Sequence, residues 1–216
     1  MTSSRSGLLF GLLAYTIAMR WLPYILQNCD VKLDPSITCY PWSFSPLTAV
    51  CLLSGTVARD LRWGLALPLL ALLISDVGIG VLTGHWDWAF PPESWWLTYA
   101  CYTGAVLLGT VLRRRGGKSR LASAVGMGLL FEVGFFIVSN FAVWCLSVAY
   151  PNHPDYVHYS FTLNGLLNCF VAAIPFFRWA PVSTAVFALL IFGPLGAFAT
   201  NEKPAQANDL VPAPAR

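Results

Sequence analysis

Long apolar stretches with almost no charged residues are the sequence feature that most restricts the fold of this chain. A helix needs roughly 20 apolar residues to cross a hydrocarbon core that is ~30 Å thick. Stretches that reach or approach this length lie at 7–22, 44–58, 63–83, 95–112, 122–149, 161–177 and 181–199. The chain is therefore predicted to be an all-α integral membrane protein.

The composition excludes most other classes of protein. Charged residues make up 11% of the 216 residues, whereas ordinary soluble domains have about a quarter. The net charge is only +3, with 13 Lys and Arg against 10 Asp and Glu, which is too little basic charge for a nucleic-acid-binding surface. Because 56% of the residues are hydrophobic, a soluble enzyme and a disordered chain are also excluded.

The basic residues predict how the chain is oriented in the membrane. They concentrate in two connecting segments, which contain Arg59 and Arg62, and Arg113, Arg114, Arg115, Lys118 and Arg120. Loops rich in Lys and Arg stay in the cytoplasm, so both segments and the N-terminus are expected there. The loops at 23–43, 84–94 and 150–160 are then external, and most of the tryptophans lie in or beside them.

Whether the chain has six spans or seven depends on the stretch at 161–177. If that stretch crosses the membrane, Arg178 is cytoplasmic and the C-terminal tail is external. If it forms a short helix at the outer surface, 181–199 is the sixth span. Asn164, Asn168 and Pro175 make this stretch less apolar and easier to break than the others. We predict a six-transmembrane-helix bundle over residues 1–200 with a short outer-surface helix, followed by a disordered polar tail at 201–216.

Ionisable and amide side chains are rare inside the predicted spans, so each one is a candidate for a site. Arg20 and Asp76 lie in the outer parts of the first and third spans, and Glu132 and Asn140 lie on the fifth. Glu132, Asn140 and Trp144 share one helix face, because multiples of four residues separate them. The pattern predicts a polar, aromatic-lined pocket that opens outward. The alternative is that these groups only join neighbouring helices, at about 0.6 kcal/mol each.

Asp76 is predicted to face the interior of the bundle. It lies ~20 Å above the cytoplasmic start of its span, at ~1.5 Å per residue. A carboxylate at that depth must be protonated, hydrated or paired with a cation. Arg20 and Arg178 are the cations expected at that depth, so we predict that Asp76 pairs with one of them at or near the pocket.

The cysteine positions leave one possible disulfide undecided, and the sequence motifs predict no catalytic or metal centre. Cys29 and Cys39 both fall in the outer loop at 23–43, where they either pair or remain two free thiols. The chain has no H-E-x-x-H and no G-x-S-x-G, and the GGKS at 116–119 lacks the first glycine of a phosphate-binding loop. The HPDYVH segment at 153–158 is interpreted as a solvated loop rather than a metal site. We therefore expect no catalytic residue, no metal and no cofactor.

Six segments carry a resemblance to a known family. They are RWLP at 20–23, FSPLTA at 44–49, PLLALLISD at 68–76, SNFAVW at 139–144, TLNGLL at 162–167 and CFVAAIPFFR at 169–178. Over roughly residues 12–195 the chain resembles an uncharacterised family of bacterial membrane proteins regarded as transport proteins. That family is similar in turn to the substrate-binding S components of energy-coupling factor (ECF) vitamin transporters.

The resemblance implies a six-helix bundle in the bacterial cytoplasmic (inner) membrane, with both termini cytoplasmic and a substrate pocket in its outer half. It also implies docking of the first helix on a transmembrane coupling protein that two ATPases serve, through small residues matched here by Ala14 and Ala18. The expected substrate-binding residues are Asp76, Asn140, Trp144, Arg178, Phe176, Arg20 and Glu132. The chain departs from the family in the long 23–43 segment, and Glu132 matches no family position. It begins Met-Thr-Ser rather than Met-His, so a transition-metal substrate is not expected.

These expectations favour a non-enzymatic subunit that captures a small, vitamin-like nutrient for uptake. One alternative is a membrane enzyme that modifies a lipid or isoprenoid, with Asp76 and Glu132 as acid and base. The other is a non-catalytic assembly protein, for which the small-residue face of the first span would suffice.

Overall fold

A computed structural model of the protein describes residues 3–31, 44–91, 94–150 and 157–193, and every regular element in these ranges is helical. The helices are α1 (Ser3–Asn28), α2 (Leu47–Val57), α3 (Leu61–Thr83), α4 (Trp86–Ala89), α5 (Trp95–Val111), α6 (Gly117–Ala149), α7 (Leu163–Phe177) and α8 (Trp179–Phe192). A 3-10 turn at Leu112–Arg114 extends α5. The predicted all-α class is confirmed for these residues.

The helices are those of a multi-pass membrane protein. Among the described residues, α1, α3, α6 and α5 with its 3-10 extension are long and apolar enough to span a bilayer. Helices α7 and α8 meet at a bend of 42° and make a fifth candidate if they are counted as one span.

The prediction of six full-length spans is not confirmed. The second predicted span forms only the 11-residue helix α2, which is ~16 Å long at ~1.5 Å per residue and therefore too short to cross ~30 Å. The stretch at 161–177, which was expected to form a separate helix at the outer surface, forms α7. This helix packs along α6 and continues through Arg178 into α8.

The two ends of the bundle differ in composition, and we call them the basic end and the tryptophan end. The basic end holds the α2–α3 and α5–α6 connections, with the arginines of those segments. There Arg113 Nε donates a hydrogen bond to Gly55 O at 2.7 Å. The tryptophan end holds the α3–α5 connection with the exposed Trp86, Trp95 and Trp96. Gly84 ends α3 there in the left-handed conformation, at φ 73°. Which end faces the cytoplasm stays a prediction.

The short helix α2 lies at the centre of the bundle. It packs against α1, α3, α5, α6 and α8, and its first six residues are all buried. Against α5 the two backbones touch, because a Cβ on Gly55 would lie 3.0 Å from the Cα of Gly109. Thr48, in the first turn of α2, bonds to Glu132 in the middle of α6. Helix α2 therefore begins deep inside the bundle, where polar side chains from several helices can meet.

Candidate functional site

Asp76 on α3 lies inside the bundle and pairs with Arg20 on α1. The Arg20 Nη2 atom donates to Asp76 Oδ1, and the Tyr99 hydroxyl on α5 donates to Oδ2 at 2.8 Å. Asp76 is only 4% exposed. The prediction that Asp76 faces the interior and pairs with Arg20 or Arg178 is thus confirmed, with Arg20 as the partner.

Helices α1 and α3 run side by side in the same direction, and two side chains of α1 fix their relative position. The Trp21 indole N–H donates to Ser75 O at 2.9 Å, and the Asn28 amide donates to Leu82 O at 3.1 Å. A Cβ on Gly78 would collide with the Trp21 ring, so this glycine gives the ring room to pack. Because these contacts flank Arg20 and Asp76, they bring the two charges together.

The ion pair is not sealed inside the protein. The Arg20 side chain remains 27% exposed, and its buried Nε has no hydrogen-bond acceptor among the described residues. The Tyr99 ring packs edge-on against Trp95, with ring centroids 5.9 Å apart, and Trp95 is 46% exposed at the tryptophan end. The pair therefore has one buried donor without a partner among the described residues, and an aromatic wall on the side of the tryptophan end.

Glu132 on α6 forms a second polar centre, with different partners. The hydroxyls of Thr48 on α2 and Thr184 on α8 both donate to its Oε1 atom, at 2.7 and 2.6 Å. Glu132 is 6% exposed, and no Lys, Arg or His of the described chain lies within the 4.0 Å limit of an ion pair. No sequence signal pointed to the two threonines, because they lie 84 and 52 residues away in the chain.

Tyr102 on α5 packs against the buried apolar cluster that includes Leu47 of α2 and Phe131 of α6. Its ring lies on Phe131, with centroids 5.4 Å apart. Tyr102 is therefore a neighbour of the residue that precedes Glu132 and of the buried start of α2. Sequence reasoning missed Tyr99 and Tyr102, although both are polar aromatic residues three positions apart on a predicted span.

Asn140 and Trp144 do not bond to either polar centre. The Asn140 amide donates to Phe136 O of its own helix at 2.7 Å. The Trp144 indole N–H donates to Ser160 O at 3.2 Å, and its ring stacks on Phe161 at 5.3 Å. These contacts join the tryptophan end of α6 to the segment that leads into α7. Neither residue makes a described hydrogen bond to Asp76 or Glu132, and their assignment to the substrate site stays a prediction.

Phe176 and Arg178 also lie apart from Asp76. Phe176 is 77% exposed. Arg178 is exposed at the α7–α8 bend, with its guanidinium carbon 5.8 Å from the centre of the Trp179 ring. Neither makes a described hydrogen bond to Asp76 or Glu132, so their assignment to the substrate site stays a prediction without a supporting contact.

The small-residue face of α1 is uncovered. Gly7, Gly11, Ala14 and Ala18 are all exposed, and a Cβ on either glycine would meet no atom within 4 Å. Elsewhere, Cys29 is an exposed free thiol, whereas Cys39 lies outside the described residues. No group of three or more His, Cys, Asp or Glu within the described ranges could hold a metal ion.

An apolar groove of about 490 Å³ lies between α1 and α3 on the outside of the bundle. Several of its side chains are exposed, and neither Arg20 nor Asp76 lines it. Its lining residues are Trp21, Ile25, Leu73, Ile74, Val77, Gly78, Val81 and Leu82. The groove is therefore separate from the polar centres at Asp76 and Glu132.

The fold and the site thus define a multi-pass helical membrane protein with two buried carboxylates, of which one is paired with an arginine. The chain belongs to a family of unknown function (DUF6580), whose family model matches residues 1–207. No curated protein and no solved structure matches the chain.

Proposed function

We propose that this chain is the membrane-embedded, substrate-binding subunit of a transporter that takes up a small, vitamin-like nutrient. The observation that carries the proposal is the Arg20–Asp76–Tyr99 cluster, in which an ion pair inside the bundle remains partly accessible. Ionisable groups inside membrane helices are costly and commonly mark substrate or ion pathways. A separate ATPase module as the source of energy belongs to the same proposal, because the chain resembles a membrane-protein family that is similar in turn to ECF S components.

The ligand site in this proposal lies at the tryptophan end of the Arg20–Asp76 pair. Arg20 offers a partly exposed guanidinium group, Tyr99 offers a hydroxyl, and the exposed Trp95 offers a ring on which a planar ligand could stack. Glu132 forms a separate centre with Thr48 and Thr184. This arrangement has the composition of a small-molecule site, with apolar and aromatic walls and few polar groups.

The uncovered face of α1 supports a partner helix in the same proposal. Small residues let another helix approach closely, and Gly7, Gly11, Ala14 and Ala18 present such a face. Arg20 is on the same helix as this face. A coupling protein that docks on α1 would therefore act directly on a helix of the ligand site. In this proposal the basic end and both termini face the cytoplasm of a bacterium.

Uptake of isotope-labelled vitamins tests the proposal. Cells that express the gene and cells that lack it are compared with thiamine, riboflavin, biotin and pantothenate as probes. We expect faster uptake of at least one probe, its loss in Asp76→Asn, and its retention in Arg114→Gln, a control at the exposed basic end. Equal uptake of every probe with and without the gene contradicts the proposal.

The two alternatives gain different degrees of support. An enzyme with Asp76 and Glu132 as acid and base would need both carboxylates at one substrate, yet each binds its own partners. An assembly protein would need only the uncovered face of α1. Copurified ATPase and coupling subunits favour the transporter, and a lipid product in the detergent extract favours the enzyme. If neither is found, the assembly protein is favoured.

A further inference from the structure

We infer that the basic end carries a site for one anionic phospholipid, with the phosphate at Arg59 and the start of an acyl chain beside Trp63. The site is a pocket of about 210 Å³ at the α2–α3 connection. Its lining includes Leu9, Val57, Arg59, Asp60, Trp63 and Leu67. The inference goes beyond the proposed uptake function, because it concerns a lipid of the surrounding membrane and uses no residue of the Arg20–Asp76–Tyr99 cluster.

The lining of the pocket changes from charged to apolar along α3. Arg59 and Asp60 are exposed in the connection that precedes this helix. Trp63 and Leu67 follow on one face of α3, one turn apart, and Leu67 packs against the buried core cluster that contains Leu9. A phospholipid has the same order of groups, from its charged phosphate to its apolar chains.

The charge around the pocket favours an anion. The segments at 58–64 and 111–121, which form the basic end, contain seven Lys and Arg, and Asp60 is their one acidic residue. The Asp60 carboxylate accepts a hydrogen bond from the Arg62 backbone N–H at 2.9 Å and thereby caps α3. The Arg59 guanidinium makes no hydrogen bond or ion pair with any described residue. Clusters of Lys and Arg at the ends of membrane helices attract anionic lipids, and Arg59 is the member of this cluster beside an apolar pocket.

The lining and size of the pocket favour a lipid over a soluble anion. A phosphate ion alone would leave the apolar lining uncovered, whereas an acyl chain would cover it. Trp63 is 67% exposed, and tryptophan is enriched at the depth of lipid head groups. At about 210 Å³ the pocket is smaller than the ~300–1,000 Å³ of sites for drug-sized molecules. It therefore holds only the part of the lipid nearest the phosphate, and the rest of the chains lies in the bilayer.

Native mass spectrometry of the full-length protein tests the inference. The protein is released from nanodiscs that contain equal amounts of phosphatidylglycerol and phosphatidylcholine with the same acyl chains. We expect one phosphatidylglycerol to be retained per chain in preference to phosphatidylcholine, because the two lipids differ in net charge. Equal retention of the two lipids overturns the inference. Displacement of the lipid by glycerol 3-phosphate at the same concentration also overturns it, because the site then binds a soluble phosphate without using its apolar lining.

Two pairs of variants at exposed positions locate the lipid. Arg59→Gln should reduce retention of phosphatidylglycerol about fivefold, the contribution of one basic residue at a membrane surface. Arg114→Gln is the matched control, because it removes the same charge from the basic end but does not line the pocket. Trp63→Ala should also reduce retention, whereas Trp96→Ala, which removes an exposed tryptophan at the opposite end, should not. Equal losses in Arg59→Gln and Arg114→Gln contradict the inference, because they indicate diffuse attraction by the whole basic end. Unchanged retention in Trp63→Ala contradicts the placement of the chain and overturns the inference as well.

Discussion

The two buried carboxylates of this bundle are compensated in different ways. Asp76 divides its oxygens between an arginine and a tyrosine hydroxyl, whereas Glu132 receives two threonine hydroxyls at one oxygen and no cation from the described chain. The first centre pairs opposite charges, with a tyrosine hydroxyl as the third member. The second is built from one carboxyl group and neutral hydroxyls. Asp76 is therefore held by a charged partner on another helix, whereas Glu132 is held by hydrogen bonds alone.

The largest effect on stability is expected from Arg20→Met. This substitution leaves the Asp76 carboxylate buried without its cation, and breaking a buried pair in this way costs about 3–5 kcal/mol. The double variant Arg20→Met/Asp76→Asn removes both charges and should recover part of that loss. Chemical denaturation of the purified protein in detergent measures both free energies of unfolding. If the double variant is no more stable than Arg20→Met, Asp76 does not depend on Arg20 for its charge balance.

A smaller loss is expected from Glu132→Leu. The two threonine hydroxyls lose their acceptor, which costs about 1–3 kcal/mol, but no charge is left unpaired. Glu132→Gln keeps an amide oxygen and should cost less. The same denaturation experiment compares these variants with Arg20→Met. A loss from Glu132→Leu that equals or exceeds that of Arg20→Met would show that the contrast between the two centres is wrong.

The smallest effect is expected from Tyr99→Phe. It removes one hydrogen bond to Asp76 and leaves the Arg20 bond intact, so we expect a loss of about 1 kcal/mol. Tyr15→Phe serves as the control, because Tyr15 is more exposed and its described contact is ring packing on Phe187. Equal stability of Tyr99→Phe and Tyr15→Phe would mean that the tyrosine bond contributes nothing to the Asp76 centre.

Much of the helical framework could be predicted from hydropathy. The apolar stretches at 63–83 and 95–112 match α3 and α5 within about two residues, the usual disagreement at helix ends. The short length of helix α2 could not be predicted, because its residues are as apolar as those of a membrane-spanning helix. It begins after Pro46 and ends at Val57, so it covers only part of the predicted stretch at 44–58.

The candidate site could be predicted only where a buried charge needs a partner of opposite charge. A buried carboxylate at the depth of Asp76 needs a cation, and Arg20 was one of two at that depth. The partners of Glu132 are hydroxyls, which occur along many membrane helices and give no comparable signal. Asn140 was expected in the pocket, but its amide bonds to the backbone of its own helix. That local bond competes with longer-range contacts and is not visible in residue spacing.

Native mass spectrometry of the purified protein tests the central claim most directly, namely that the Arg20–Asp76–Tyr99 cluster holds a small organic molecule. We predict one retained molecule per chain in the wild-type protein and in Arg114→Gln, with occupancy reduced by about tenfold in Asp76→Asn. The absence of any retained molecule in the wild-type protein, or equal occupancy in Asp76→Asn, would contradict the account.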